Sequence, residues 1–146
     1  MILSAPEIIR RRLDHNCVGG NLVITPYSSE CQQPASYDLR ASGEIHLPMG
    51  TCTLVPTLEW IELPMDLAGT LRSRSSLGRR GVLLGAGFID PGFHGQLTLC
   101  LTNLGSDEII IQKNDRVVQM ILHEVRESNQ CYSGRYQDSR GAVEAK

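Results

Sequence analysis

The residues of this 146-residue chain best suited to chemistry lie in one stretch, Arg74 to Asn103. Arg74-Ser75-Ser76 opens it, with Arg79 and Arg80 close behind. A planar guanidinium matches two phosphate oxygens at once, and hydroxyls beside it add donors, so this turn reads as an anion holder. Past a glycine-broken apolar segment stands a single carboxylate, Asp90, ahead of Pro91-Gly92. An acid following an anion holder suits orienting a water toward a phosphorus, or relaying protons. Taken alone, an aspartate before Pro-Gly is as readily a turn former that bonds the backbone two residues on. Phe93, next in line, is either core or an aromatic wall of the site.

The elements around this stretch must position it. Gln96 to Leu101 alternates with period two: Leu97, Leu99 and Leu101 form a core face, and Gln96, Thr98 and Cys100 look toward the site or solvent. Arg116 to His123 alternates too, with Val118, Met120 and Leu122 on one face and Val117, Gln119 and Ile121 on the other. Leu22 to Ile24, Tyr37 to Arg40, Glu44 to Leu47 and Asp107 to Gln112 are further strand candidates. Thr51 to Val55 and Leu58 to Leu63 read as two strands separated by Pro56. Val82 to Leu84 and Phe88-Ile89 read as a hairpin with Gly85-Ala86-Gly87 at its tip. Ser75 to Arg80 is long enough for one helical turn only. Ahead of all these, Ser4-Ala5-Pro6-Glu7 has the form of a capping box, predicting a helix to about Leu13 that stops before Asn16 and Gly19-Gly20. Many short strands punctuated by Pro and Gly predict an all-β sandwich or barrel with a short N-terminal helix. Residues 1–127 make the domain. From 128 to 146 the chain turns polar and small, a tail expected to be mobile until something orders it.

The length fits one core. A net charge of -2 leaves no global basic field, so a nucleic-acid partner is not expected. Positive charge is instead concentrated at Arg72, Arg74, Arg79 and Arg80, which suits a small polyanion. Five cysteines, odd in number and without a C-x-x-C pair, argue for reduced thiols, and four scattered histidines give no zinc spacing. No apolar run approaches the ~20 residues that span a bilayer. A soluble cytoplasmic protein with no membrane partner is the expectation.

Five segments in order then carry a resemblance: Q-P-A-S-Y-D-L-R (33 to 40), T-L-E-W-I-E-L-P (57 to 64), R-S-S-L-G-R-R-G (74 to 81), F-I-D-P-G-F-H-G (88 to 95) and D-R-V-V-Q-M-I-L (115 to 122). Together they resemble the dUTPase and dCTP deaminase superfamily, and Y-S-G-R-Y-Q (132 to 137) resembles the deaminase ending. The resemblance implies a distorted all-β jelly roll, a homotrimer with sites shared between subunits, and a tail that closes over a deoxynucleoside triphosphate. It also implies Asp90 as the catalytic acid or base. Arg74, Ser75, Ser76, Arg79, Phe93, Gln119, Arg135, Tyr136 and Gln137 are the implied substrate contacts, with Mg2+ held through the triphosphate and Asp38 in a structural role. Two chemistries compete within that superfamily. Deaminases carry a proton-shuttling glutamate on the strand after I-D-P-G, and here that position is Cys100, a poor relay. The hydrolytic chemistry needs only the acid and the phosphate holder, so the resemblance favours dUTP converted to dUMP and pyrophosphate. A dCTP deaminase, or a catalytically silent nucleotide-binding regulator, is the alternative. The segment 81 to 90 is shorter than the base-reading hairpin of typical members, and the tail offers Arg135-Tyr136-Gln137 and Arg140 in place of a glycine-rich phosphate cradle.

Overall fold

The alternating run around Leu99 forms a ten-residue strand paired on both sides in a computed structural model that describes residues 1–13 and 20–145. Asn16 and Gly19, part of the expected helix stop, lie outside the described residues, as do His15 and Cys17. In chain order the elements are helix α1 (Ala5–Leu13), strands β1 (Val23–Thr25), β2 (Gln32–Gln33), β3 (Ser36–Arg40), β4 (Ile45–Leu47), β5 (Cys52–Glu62) and β6 (Leu67–Ser73), the single turn α2 (Ser75–Gly78), and strands β7 (Val82–Gly85), β8 (Phe88–Ile89), β9 (His94–Asn103), β10 (Ile109–Ile111) and β11 (Arg116–Glu124). A 3-10 turn covers Ser29–Cys31. Among the described residues no helix is long and apolar enough to cross a membrane.

One sheet runs β1-β5-β9-β7, a second runs β2-β3-β11-β6-β8, and β4 pairs with β10 in a ribbon; the paired strands are antiparallel. Side chains from both sheets join one core: Val55, Ile61, Leu99 and Leu101 from the first, Tyr37, Leu39, Met120 and Leu122 from the second. Each such side chain contributes about 1.5–3 kcal/mol when fully withdrawn from water. On β9 the expected alternation holds, Leu97, Leu99 and Leu101 buried and Gln96, Thr98 and Cys100 half-exposed. On β11 the pattern departs at one position. Val117 is buried with Val118, because the pairing with β3 shifts register between Arg116 and Val118 and the extra residue turns inward.

Two strand expectations are corrected. The chain from Cys52 to Glu62 is one strand that passes through Pro56. A proline in a central strand forfeits a ladder bond, and here it sits where the pairing with β9 slips, between Pro56 and Trp60. Thr57 repairs the irregularity: its Oγ1 donates to Glu59 O and accepts the Leu97 N–H, both at 2.9 Å. The buried Glu59 carboxylate accepts the Arg40 N–H at 2.9 Å and Arg40 Nε at 2.6 Å, tying β5 to β3. The expected hairpin does not form either, since β7 pairs with β9 and β8 with β6, in different sheets. Ala86 and Gly87, at φ 61° and 107°, redirect the chain from one sheet to the other.

At the N-terminus the helix forms as expected, with Ile8 fully buried. The Glu7 carboxylate accepts Arg10 Nε and Nη2 at 2.9 and 2.6 Å, one turn along the helix, where a capping box would send it back to the first residues. Arg11 pairs with Asp66 across to the loop before β6.

Candidate active site

Asp90 emerges at the end of β8, where Ile89 is buried against Gly69 of β6. The turn that follows is fixed on both sides. Phe93 N–H donates to Asp90 O at 3.2 Å, Gly92 N–H to Leu63 O at 3.1 Å, and Leu63 N–H to Phe93 O at 2.9 Å. Gly92 holds φ 78°, a backbone conformation that favours glycine. Asp90 is thereby exposed at the rim of a cavity of about 410 Å³, whose other walls include Leu54, Leu71, Phe93, Leu97, Thr98 and Cys100. Among the described residues no other lining residue is an acid. Burial pushes the Cys100 thiol above its ordinary pKa, with nearby Cys52 adding to the rise, so the group on the strand behind Asp90 is a neutral thiol at neutral pH.

The C-terminal segment forms the remaining wall. Tyr132 N–H donates to Pro91 O at 2.8 Å, and its ring lies 5.8 Å from that of Phe93 at 59°. Gln137 accepts the His94 N–H at 3.0 Å and donates to Gly92 O at 2.8 Å and Tyr132 O at 3.3 Å. Asp138 donates its N–H to His94 O, and its carboxylate meets His94 Nδ1 at 2.8 Å. Beyond it, Arg140 lies over the Trp60 ring at 4.7 Å. Tyr136 lines the cavity and donates its N–H to Tyr132 Oη.

The anion holder sits elsewhere. Arg74, Ser76, Arg80, Asn114, Asp115 and Arg116 line a second, polar depression, and none of Arg74, Ser75 and Ser76 lines the cavity at Asp90. Arg74 is pinned from beneath by Asp38 of β3, 1 % exposed, with Arg74 Nε at 3.2 Å and Arg116 Nη1 at 3.6 Å from Oδ2. The guanidinium N–H bonds do not point at the carboxylate closely enough to hydrogen-bond it. Burial raises the Asp38 pKa, and the two arginines offset that rise only in part. Gln119 stands on β11 between Arg72 and Asp38. Arg79 is exposed at the end of α2, and Arg135 is exposed in the tail; neither lines either recess.

Sequence reasoning gathered Asp90, Phe93, Tyr136, Cys100, Arg74 and Ser76 at one site; within this chain the first four line one cavity and the last two another. It passed over Tyr132, the ring tilted against Phe93, and Arg116, which shares Asp38 with Arg74. Both lie inside the motifs already quoted, so the signal was present without a reason to single them out. Gln137, expected on substrate, has its whole amide engaged within the chain.

Comparison with known proteins places this geometry in context. The dCTP deaminase-like family profile matches residues 41–125. The chain is 38 % identical over 141 residues to the dCTP deaminase of Pyrococcus abyssi, covering 86 % of this chain and 92 % of that one. It is 35 % identical over 135 residues to the dCTP deaminase of Thermococcus gammatolerans, covering 82 % and 86 %. Among solved structures, the native EIAV dUTPase superposes with a TM-score of 0.63 at 22 % identity, over 80 % of this chain and 98 % of that one. The Agrobacterium tumefaciens 2'-deoxycytidine 5'-triphosphate deaminase gives 0.65 at 19 %, over 83 % and 47 %. At these identities the structural likeness is one of fold.

Proposed function

The chain belongs to the dCTP deaminase-like family, within the dUTPase and dCTP deaminase superfamily, and from that footing we propose that it hydrolyses a pyrimidine deoxynucleoside triphosphate, dUTP first, to the monophosphate and pyrophosphate. The observation that carries this reading is the single acid at the cavity among the described residues: Asp90 is present and the strand behind it offers the neutral Cys100. Hydrolysis at the α-phosphorus needs one carboxylate. Asp90 orients a water, its oxygen bonds to the α-phosphorus, the bond from that phosphorus to the bridging oxygen breaks, pyrophosphate leaves, and the water's proton passes to the carboxylate. Attack on a cytosine ring needs a relay to a ring nitrogen and an amino group, and a neutral, half-buried thiol is a weak one.

The half-sites are complementary. Phe93 and Tyr132 wall the base and sugar side, while Arg74, Ser75 and Ser76 hold phosphate charge. Because those three lie off the Asp90 cavity, a second copy of the chain supplies them to it, which makes the homotrimer the working assembly. The tail segment is the closing element over bound nucleotide. No group of three His, Cys, Asp or Glu side chains able to hold a metal occurs among the described residues. The donor set at the cavity, one carboxylate among the described residues, would leave Mg2+ to be held through the triphosphate. Such an ion supplies charge neutralisation to the phosphates.

A second reading, deamination of a cytosine nucleotide, draws on the names of the Pyrococcus and Thermococcus relatives. Incubating the protein with each deoxynucleoside triphosphate and Mg2+, with pyrophosphate and ammonia assayed in the same tubes, separates the two. The hydrolytic reading expects pyrophosphate from dUTP without ammonia from dCTP. Ammonia release from dCTP, with the triphosphate intact, replaces it by the second.

A further inference from the structure

The polar side of β9 has an occupant that hydrolysis leaves unexplained. Gln96, Thr98 and Cys100 stand in one row at two-residue spacing, and the C-terminal segment meets that row with backbone groups. The Gly141 N–H donates to Gln96 Oε1 at 2.8 Å, and the Val143 N–H donates to Thr98 Oγ1 at 3.0 Å. Equal two-residue steps on both sides keep the segment in step with the strand, although it bends at Gly141, whose φ is 66°. Two backbone bonds fix where it starts: Asp138 N–H to His94 O at 2.9 Å, and Gln96 N–H to Ser139 O at 2.8 Å, with Gly95 and Ser139 in a parallel bridge.

The acceptors are set before the tail arrives. Gln96 Nε2 donates to Thr57 O at 2.8 Å, so the amide oxygen is the end left facing the segment. Thr57 O is available because the β5 ladder slips between Pro56 and Trp60, and the buried Thr57 hydroxyl is held between Glu59 O and the Leu97 N–H. Thus the proline irregularity frees a carbonyl, the carbonyl orients an amide, and the amide receives the tail. Cys100 comes next in the row, and a thiol is a weak acceptor. The ladder of side-chain acceptors ends there.

We propose that Gln96 and Thr98 are positioning residues that dock segment 139–143 through its backbone. The face of β9 turned to the cavity holds the tail, in place of seating a second acid. Recognition by N–H groups asks little of the tail side chains, which agrees with the small residues Ser139, Gly141 and Ala142 in the segment. Val143 and Ala145 remain part of the cavity wall only while these bonds hold. Docking stands on this geometry; its kinetic consequence rests on the hydrolytic reading.

Trp60 is the single tryptophan of the chain, and the Arg140 guanidinium over its ring makes its emission a reporter of docking that needs no substrate. Arg140→Ala supplies the emission of an uncovered indole. Thr98→Val removes the acceptor and Val143→Pro the donor of one bond. Each is expected to move Trp60 emission toward the Arg140→Ala value and to raise amide exchange across residues 139–145 about fivefold, the weight of one net hydrogen bond. The double variant should go no further than either single one, and Thr98→Ser should restore the wild-type signals. With dUTP, Thr98→Val is expected to raise KM. Unchanged exchange and emission in Thr98→Val overturn the proposal, as do additive effects in the double variant. So does a Val143→Ala variant, which keeps the N–H, matching Val143→Pro. If no substrate is turned over while exchange and emission respond as stated, the hydrolytic reading fails and docking survives.

Discussion

Replacing Gln137 by alanine tests whether the tail is strapped to the Asp90 turn by its own chain or waits for a ligand. The amide makes three bonds, at 2.8, 3.0 and 3.3 Å, to Gly92 O, the His94 N–H and Tyr132 O. At about 1 kcal/mol net for each of the shorter two and less for the third, the loss is about 2 to 3 kcal/mol of local stability. That corresponds to roughly a 30- to 150-fold gain in opening. Gln137→Glu is the sharper control: its carboxylate still accepts from His94 N–H but faces two carbonyl oxygens it cannot donate to, so it should open the tail as much as alanine does. Native-state hydrogen exchange across residues 132–141, without nucleotide, reads both. If exchange in that segment is unchanged in Gln137→Ala and only nucleotide affinity falls, Gln137 is a substrate contact and the strap is wrong.

Other perturbations follow from the same geometry. Glu59→Gln leaves the Arg40 guanidinium without its buried anion and sets an amide donor against one of two donors, so urea unfolding should show a loss of about 3–5 kcal/mol; a loss below about 1 kcal/mol contradicts the bonding described. Asp38 has a folded pKa raised by burial, so the native state takes up its proton at a higher pH than the unfolded chain, and stability falls as pH rises from the unfolded pKa through the folded one. Asp38→Asn removes that slope, and its urea midpoint should therefore improve relative to wild type from acid to neutral pH; the opposite trend means Arg74 and Arg116 outweigh burial. Gly92→Ala forces a side chain into φ 78° with its Cβ 3.0 Å from Cys131 Cβ; the strain costs roughly 1–2 kcal/mol, and displacement of Cys131 should loosen the contact of Tyr132 with Phe93, visible as slower pyrophosphate release and faster tail exchange.

The parts of the fold that a local pattern encodes were legible in the sequence. Period two on Gln96 to Leu101 gave the buried face of β9 correctly, and Ser75 to Arg80 gave one turn because nothing longer fits. Pairing was not legible. Val82 to Leu84 and Phe88-Ile89 look like two arms of a hairpin, yet two residues of positive φ between them send each to a different sheet, and no local pattern says which partner waits there. Pro56 read as a stop because a proline costs a ladder bond; the compensating slip against β9, held by Thr57 and Gln96, is visible only when both strands are present. At the site, Asp90, Phe93 and Cys100 were found because motif order places them within ten positions of one another. The distance between Asp90 and the Arg74 turn, and the folding of the tail onto β9, are tertiary facts.

The most direct test of the central claim is pyrophosphate release from dUTP by the wild type and by Asp90→Asn under the same conditions, with ammonia from dCTP followed in parallel. The account predicts that the amide, equal in shape but unable to take the proton, lowers pyrophosphate release by about 100-fold or more, with folding unchanged and no ammonia from either protein. An Asp90→Asn variant that releases pyrophosphate at the wild-type rate, or a wild type that yields ammonia from dCTP, contradicts it.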